Sequence, residues 1–121
     1  MDTQWLVPRV VDGILHVSSK PQNACLVRDP DSLAWAKELS QLHARYECDV
    51  VVVDLSGVDF ISYVALEALD VLAAKLTKRS GRLFIGGVRS HVLAIFLALA
   101  PHLEATNDPV AKVTLPHALT A

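Results

Sequence analysis

Val50 to Val53 is a run of four valines with no polar residue between them. Alternate side chains of a strand point to opposite faces of a sheet, so such a run suits a central strand covered on both sides. The residues that follow narrow the choice again. Beyond the polar stretch Asp54 to Asp59 and the pair Phe60-Ile61, the segment from about Tyr63 to Ser80 places Ala65, Leu66, Leu69, Leu72, Ala73 and Leu76 at helical spacings, with Gly81 as its stop. "RLFIGG", Arg82 to Gly87, then reads as another strand. Strand, hinge, helix and strand in that order predict an α/β layer architecture with helices packed on a sheet.

The flanking segments extend this pattern. Ile14 to Val17 and Ala24 to Val27 are strand candidates joined by "SSKPQN", whose proline and asparagine suit a turn, and they are expected to pair as an opening hairpin. Asp31, just after Pro30, is placed as the N-cap of a first helix that carries Trp35, Leu39, Leu42 and Tyr46 on one face and ends before Cys48. Ser90 is expected to cap a third helix, His91 to Ala100, terminated by Pro101. Lys112 to Leu115 reads as a last strand after an irregular connection from His102 to Val110. The 121 residues then form a single domain with an α/β fold. Its mixed sheet should have about four to five strands.

Composition removes several classes of partner. Lysine and arginine number 11 against 13 aspartates and glutamates, and the net charge of −2 offers no field to gather nucleic acid or anionic lipid. The longest apolar stretch, Val92 to Ala100, is far shorter than the roughly 20 residues that span a bilayer, so no membrane insertion is expected. Cys25 and Cys48 stand apart in apolar surroundings and read as small buried hydrophobes. The opening Met1-Asp2-Thr3-Gln4 has neither the basic segment nor the apolar run of a leader, so a reduced, cytoplasmic setting is expected.

Enzymatic chemistry finds no support. Asp54 ends a buried strand, as in an aspartyl phosphoacceptor, but the acidic pair that would hold magnesium is replaced after Val17 by Ser18, Ser19 and Lys20. Asp54, Ser56 and Asp59 are expected to satisfy the turn between strand and helix, with Gly57 at its bend. His16, His43, His91, His102 and His117 never fall at metal-ligand spacing, and no nucleophile motif surrounds a serine. Gly86-Gly87 before Ser90 could offer amides to an anion, but it is not a P-loop and lacks the lysine.

"VVVDLSGVDFIS", followed by an alanine- and leucine-rich helix, then "SGRLFIGG" and a capped helix, resembles the STAS domain, the family named for sulphate transporters and anti-sigma factor antagonists. The resemblance is strongest from Val50 to Leu99. It implies a non-enzymatic regulator without a cofactor. The implied partner is an anti-sigma factor with serine kinase character, or another STAS protein, in transcriptional signalling. Two alternatives stay open: an accessory subunit of a transporter ATPase, and a small-molecule or nucleotide sensor using the turn from Gly86 to Ser90.

In anti-sigma factor antagonists of the family the hinge reads Asp, Ser, Ser or Thr, then Gly, and the first hydroxyl is phosphorylated by the partner kinase. Here Ser62 stands at the Asp position, Tyr63 at the phosphoacceptor, then Val64, with Ala65 in place of Gly. A seryl phosphate at a helix start meets open amides and the positive end of the helix dipole. The Tyr63 hydroxyl lies about six ångström beyond Cβ and would miss those amides. Ser62 keeps a hydroxyl one residue early, either as a plain N-cap or as a displaced phosphoacceptor. Tyr63 is either a surface aromatic lying along its helix or an anchor for a partner.

Opposite the leucine stripe, the outer face of this helix holds Tyr63, Val64, Glu67, Val71, Ala74, Lys75 and Lys78, apolar first and basic later, which suits a partner-binding surface. "HVLAIFLALA", His91 to Ala100, is apolar on every side. Leu93, Phe96, Leu97 and Ala100 are expected to cover the sheet, leaving Val92, Ile95 and Leu99 for the tail, a homodimer or another partner.

Overall fold

The computed structural model describes residues 3–20, 25–26 and 29–110. Leu6–Val11 (β1) and Ile14–Ser19 (β2) form an antiparallel hairpin, with Leu6 opposite Ser19 and Val11 opposite Ile14. It turns through Asp12-Gly13, whose φ angles of 52° and 77° are those of a two-residue type I′ turn. This corrects the expected opening hairpin, because β2 folds back on β1 and not forward onto the segment at Ala24 to Val27. Asp-Gly between two apolar pairs, Val10-Val11 and Ile14-Leu15, was the available signal. Cys25–Leu26 (β3) pairs instead, in parallel, with Phe60–Ile61 (β5) as a separate two-stranded sheet. Ala24, Val27 and the strand expected at Lys112 to Leu115 lie outside the described residues.

Val50–Asp54 (β4) runs parallel to both β2 and Arg82–Gly86 (β6), giving a mixed sheet in the order β1-β2-β4-β6. The described helices are Asp29–Tyr46 (α1), Tyr63–Lys78 (α2) and Ser90–Leu99 (α3). Val51 and Val53 join a core with Trp35, Leu39 and Leu42 of α1, Leu69, Leu72 and Leu76 of α2, and Val92 and Phe96 of α3. The described helices therefore share one face of the sheet. Val52 joins Ile14 and Phe84 on the opposite face, where Val50 and Val110 pack against them. Apolar demand from both sides is why the valine run shows no alternation.

The β6 edge of the sheet is covered and the β1 edge is blunted at its start. Beside β6, Ile85 N donates to Glu104 O (2.9 Å) and Thr106 N to Ile85 O (3.0 Å). Beside β1, Leu6 N points outward to Glu38 Oε1 at 2.8 Å. Antiparallel N–H groups alternate in direction, so the next outward position is Pro8, which has no donor. One carboxylate and one proline thus blunt the edge that could pair with another chain. Glu38 also accepts from Gln4 N (3.0 Å) and Trp5 N (3.1 Å), with only 8% of the residue exposed. Glu38→Ala strands these amides and should cost about 2–3 kcal/mol in urea unfolding. A loss below about 0.5 kcal/mol would show that water replaces the carboxylate there.

The helix ends differ from expectation for local reasons. α1 begins at Asp29, so Asp31 lies in its first turn and is not the cap; Pro30 is tolerated there because the first N–H groups have no helical acceptor. Trp35, Leu39 and Leu42 are buried as the spacing predicts, whereas Tyr46 is exposed. α2 is left through Ser80, at φ 58°, and not through Gly81. Arg89 is the N-cap of α3, without a side-chain capping bond, and Ser90 is its first residue.

The stripes of α3 are also reassigned. Val92, Phe96 and Ala100 are buried, Leu93 and Ile95 are partly buried against the core, and Leu97 is exposed together with Leu99. The chain after Pro101 explains the shift, since Leu103 is buried and Ala105 bridges to Ile85. Of the stripe expected to be free, only Leu99 is exposed.

Candidate functional site

The hinge between β4 and α2 is built by short-range bonds. Asp54 Oδ1 accepts Ser56 N at 2.9 Å, and Val58 N donates to Leu55 O at 2.9 Å. Asp59 has a different task from the one expected. Its carboxylate pairs with Arg89, whose Nε donates to Ser56 O at 3.1 Å, so the start of α3 is tied to the hinge. Gly57 does not take a left-handed conformation, and the bend is held by the Asp54 and Leu55 bonds.

Ser62 is the N-cap of α2, at φ −87° and ψ 165°. Its Oγ accepts from Ala65 N at 3.3 Å and donates to Ser32 Oγ of α1 at 2.6 Å. The hydroxyl is therefore engaged both as donor and as acceptor, and the donor bond joins the N-terminal ends of two helices. The partner hydroxyl, Ser32, is fully buried. Tyr63, the next residue, is 68% exposed, and Phe60 just before the cap is 53% exposed. The Phe60 ring meets His91 edge-on at 6.0 Å, while His91 Nε2 lies 2.6 Å from Asp59 O.

The residues expected to bind a partner fall into three places. Val64, Glu67 and Val71 line a groove of about 450 Å3 between α1 and α2. Tyr63 and Glu67 border a small hollow of about 50 Å3 on the other flank of α2, shared with Leu99 and His102. Ala74 and Lys78 are exposed further along the helix and line neither hollow. Sequence reasoning missed the α1 side of the groove, Leu33, Ala36 and Lys37, and the exposed Phe60. The exposed position of Leu33, next to the fully buried Ser32, carries no local signal, because only the packing of α1 against α2 creates the groove.

Two amides of the glycine turn after β6 are already bonded. Gly87 N donates to Asp108 O at 2.7 Å and Val88 N to Thr106 O at 3.0 Å, so these two amides are not open to an anion. On the opposite face of the sheet, Arg9, His16, Ser18 and Asp54 border a hollow of about 260 Å3. Burial, and then the charge of Arg9, pushes the His16 pKa down. Burial pushes the Cys48 thiol up, with Asp49 adding to the effect, so this thiol is held in its weakly nucleophilic form. Among the described residues, no cluster of three or more His, Cys, Asp or Glu is placed to hold a metal ion. No helix among them is long and apolar enough to cross a membrane.

A mixed β1-β2-β4-β6 sheet with α1, α2 and α3 on one face and a capped helix start beside the hinge can be compared with known proteins. No curated protein sequence matches the chain. The structure aligns with that of a Thermotoga maritima protein described as a "putative anti-sigma factor antagonist", with a TM-score of 0.75 over 90% of this chain and 91% of that one. At 11% identity the likeness is one of fold. Residues 14–104 match the STAS domain, a span that runs from β2 through the hinge and all three helices to the segment closing the β6 edge. The strand, hinge and helix arrangement around Ser62 is thus shared along most of its length, and the chain belongs to the STAS domain family.

Proposed function

We propose that this STAS domain is a non-enzymatic regulator of the anti-sigma factor antagonist kind, acting in the cytoplasm. It docks an anti-sigma factor with serine kinase character, or another STAS protein, through the N-terminal half of α2, and by occupying that partner it frees a sigma factor. The observation that carries this reading is Tyr63, 68% exposed in the first turn of the hinge helix. An aromatic ring left in water forgoes a large burial free energy, which a partner's pocket would recover. Leu99 borders the same hollow, and Phe60, exposed just before the cap, adds further apolar surface. With the β6 edge covered and the β1 edge blunted by Glu38 and Pro8, strand addition is a poorer route to a partner than the helix face.

The hinge also suits docking without a phosphate switch. A phosphate on Ser62 would have to displace the bonds to Ser32 and Ala65, and one on Tyr63 would stand away from the helix amides. Tyr63→Ala and Val64→Asp should each weaken partner binding by about 1–3 kcal/mol while leaving unfolding nearly unchanged. The partner is captured from native cytosol on the wild-type chain, identified, purified and titrated by calorimetry. Recovery of a GHKL-type kinase with weakened binding in both variants supports the assignment. Unchanged affinity in both removes the docking site, and an ABC-type ATPase as the captured partner makes the domain a transporter accessory subunit instead.

A further inference from the structure

We propose that the groove between α1 and α2 receives an acidic amphipathic helix of another protein, about three turns long. Ser32 and Ser62 join the N-terminal ends of the two helices, so α1 and α2 lie side by side in the same direction. Between them, Ala36, Leu39, Ala68 and Leu72 line a trough of about 450 Å3. Leu33 on the α1 rim is 59% exposed and Val71 on the α2 rim 50%, so each helix turns a bare aliphatic toward the same space. The stretch of α2 that lines it runs from Val64 to Lys75. At about 1.5 Å per residue that is about 17 Å, the length of three helical turns.

Charge identifies the kind of helix. Lys37 stands on the α1 rim and Lys75 on the α2 rim, and neither side chain makes an ion pair or hydrogen bond among the described residues. Arg79, Arg82 and Arg89, elsewhere on the surface, are each paired with a carboxylate. Glu67 is the acidic lining residue, about two turns before Lys75. An apolar trough with an unpaired cation on both rims complements an apolar stripe flanked by carboxylates. The chain's own end does not fit this description: residues 111–121 contain Lys112 and His117, no acid, and Pro116. A second copy fits no better, because α1 and α2 bury their apolar stripes on their own sheet, and α3, which leaves Leu97 and Leu99 exposed, carries no carboxylate.

The inference rests on α2 as the docking helix, but Tyr63 lies outside the groove, so the two can be tested apart. The probe is a capped peptide of about 14 residues with leucines at helical spacing flanked by glutamates, and its twin has lysines in place of the glutamates. Each is titrated into the full ¹⁵N-labelled chain at low salt and followed by amide chemical shifts. The shifts should gather in residues 33–43 and 64–75. The glutamate peptide should bind about tenfold tighter than its twin, and added salt should shrink that preference. Lys37→Glu with Lys75→Glu should invert it, and Tyr63→Ala should leave it unchanged. Equal binding of the two peptides, or shifts centred elsewhere, overturns the proposal. So does sodium oleate moving these amides when neither peptide does, which would make the occupant a lipid. Dilution alone moving them would make the occupant a second copy and overturns the proposal equally. If the peptide preference holds while Tyr63→Ala leaves native partner affinity intact, the groove stands and the hinge docking falls; the reverse pattern removes the groove alone.

Discussion

Gly81→Ala should lower the unfolding free energy by about 3–5 kcal/mol, a large loss for a substitution that adds one methyl group. A Cβ at this position would sit 2.0 Å from Asp49 O and 2.9 Å from Asp49 C, both backbone atoms that cannot swing aside. The same carbonyl accepts Arg82 N at 3.0 Å, and Gly81 N donates to Leu76 O at 2.7 Å. Making room therefore separates the end of α2 from the start of β4 and disturbs both bonds. Ser80→Gly is the informative companion. Ser80 holds the left-handed conformation, at φ 58°, so a glycine there relieves strain and should leave stability equal or raise it by up to about 1 kcal/mol. Urea unfolding of the two variants checks the assignment, and Gly81→Ala within about 1 kcal/mol of wild type would show that the α2–β6 turn can yield.

Leu69→Ala should cost about 2–5 kcal/mol of stability through a cavity in the core. Leu69 is fully buried in the stripe that α2 lays against the sheet, among Leu66, Leu72 and Leu76. Its cost should not appear in binding. Tyr63 and Val71 stand on the exposed side of the same helix, so partner affinity measured well below the unfolding transition should stay within about twofold of wild type. Leu69→Ala and Tyr63→Ala thus form a pair with opposite signatures, one in stability and one in association. A Leu69→Ala variant that folds as stably as wild type would mean that α2 does not seat its leucines as described. One that folds but loses partner affinity would mean that the docking surface depends on the core beneath it.

Periodicity carried much of the fold. The valine run, the leucine spacing of α2, the strand at Arg82 to Gly86 and the order of helix and strand all follow from whether neighbours along the chain are apolar, and that information is local. The same holds for the Ser62 cap, which needs only a hydroxyl just before a helical stripe. Even the first hairpin was written locally, in Asp12-Gly13, although the more conspicuous proline and asparagine of the following segment drew the assignment away from it.

Tertiary structure decided whatever depends on residues far apart in sequence. Glu38 reaches back to Leu6 to blunt a sheet edge, and Ser62 reaches back to Ser32 to bind two helix ends. Gly81 owes its identity to the carbonyl of Asp49. α3, apolar on every side, has no periodicity from which to choose its inner stripe, so the choice of Val92, Phe96 and Ala100 falls to how Leu103 and Ala105 close over the sheet. The groove arises in the same way, because Leu33 and Val71 become one surface only when α1 is laid beside α2. Sequence alone determined the order of the elements and the stripes of those with a clear period; which apolar residues of α3 leave water, which side chains meet, and which surfaces their meeting leaves open required the whole chain to be packed.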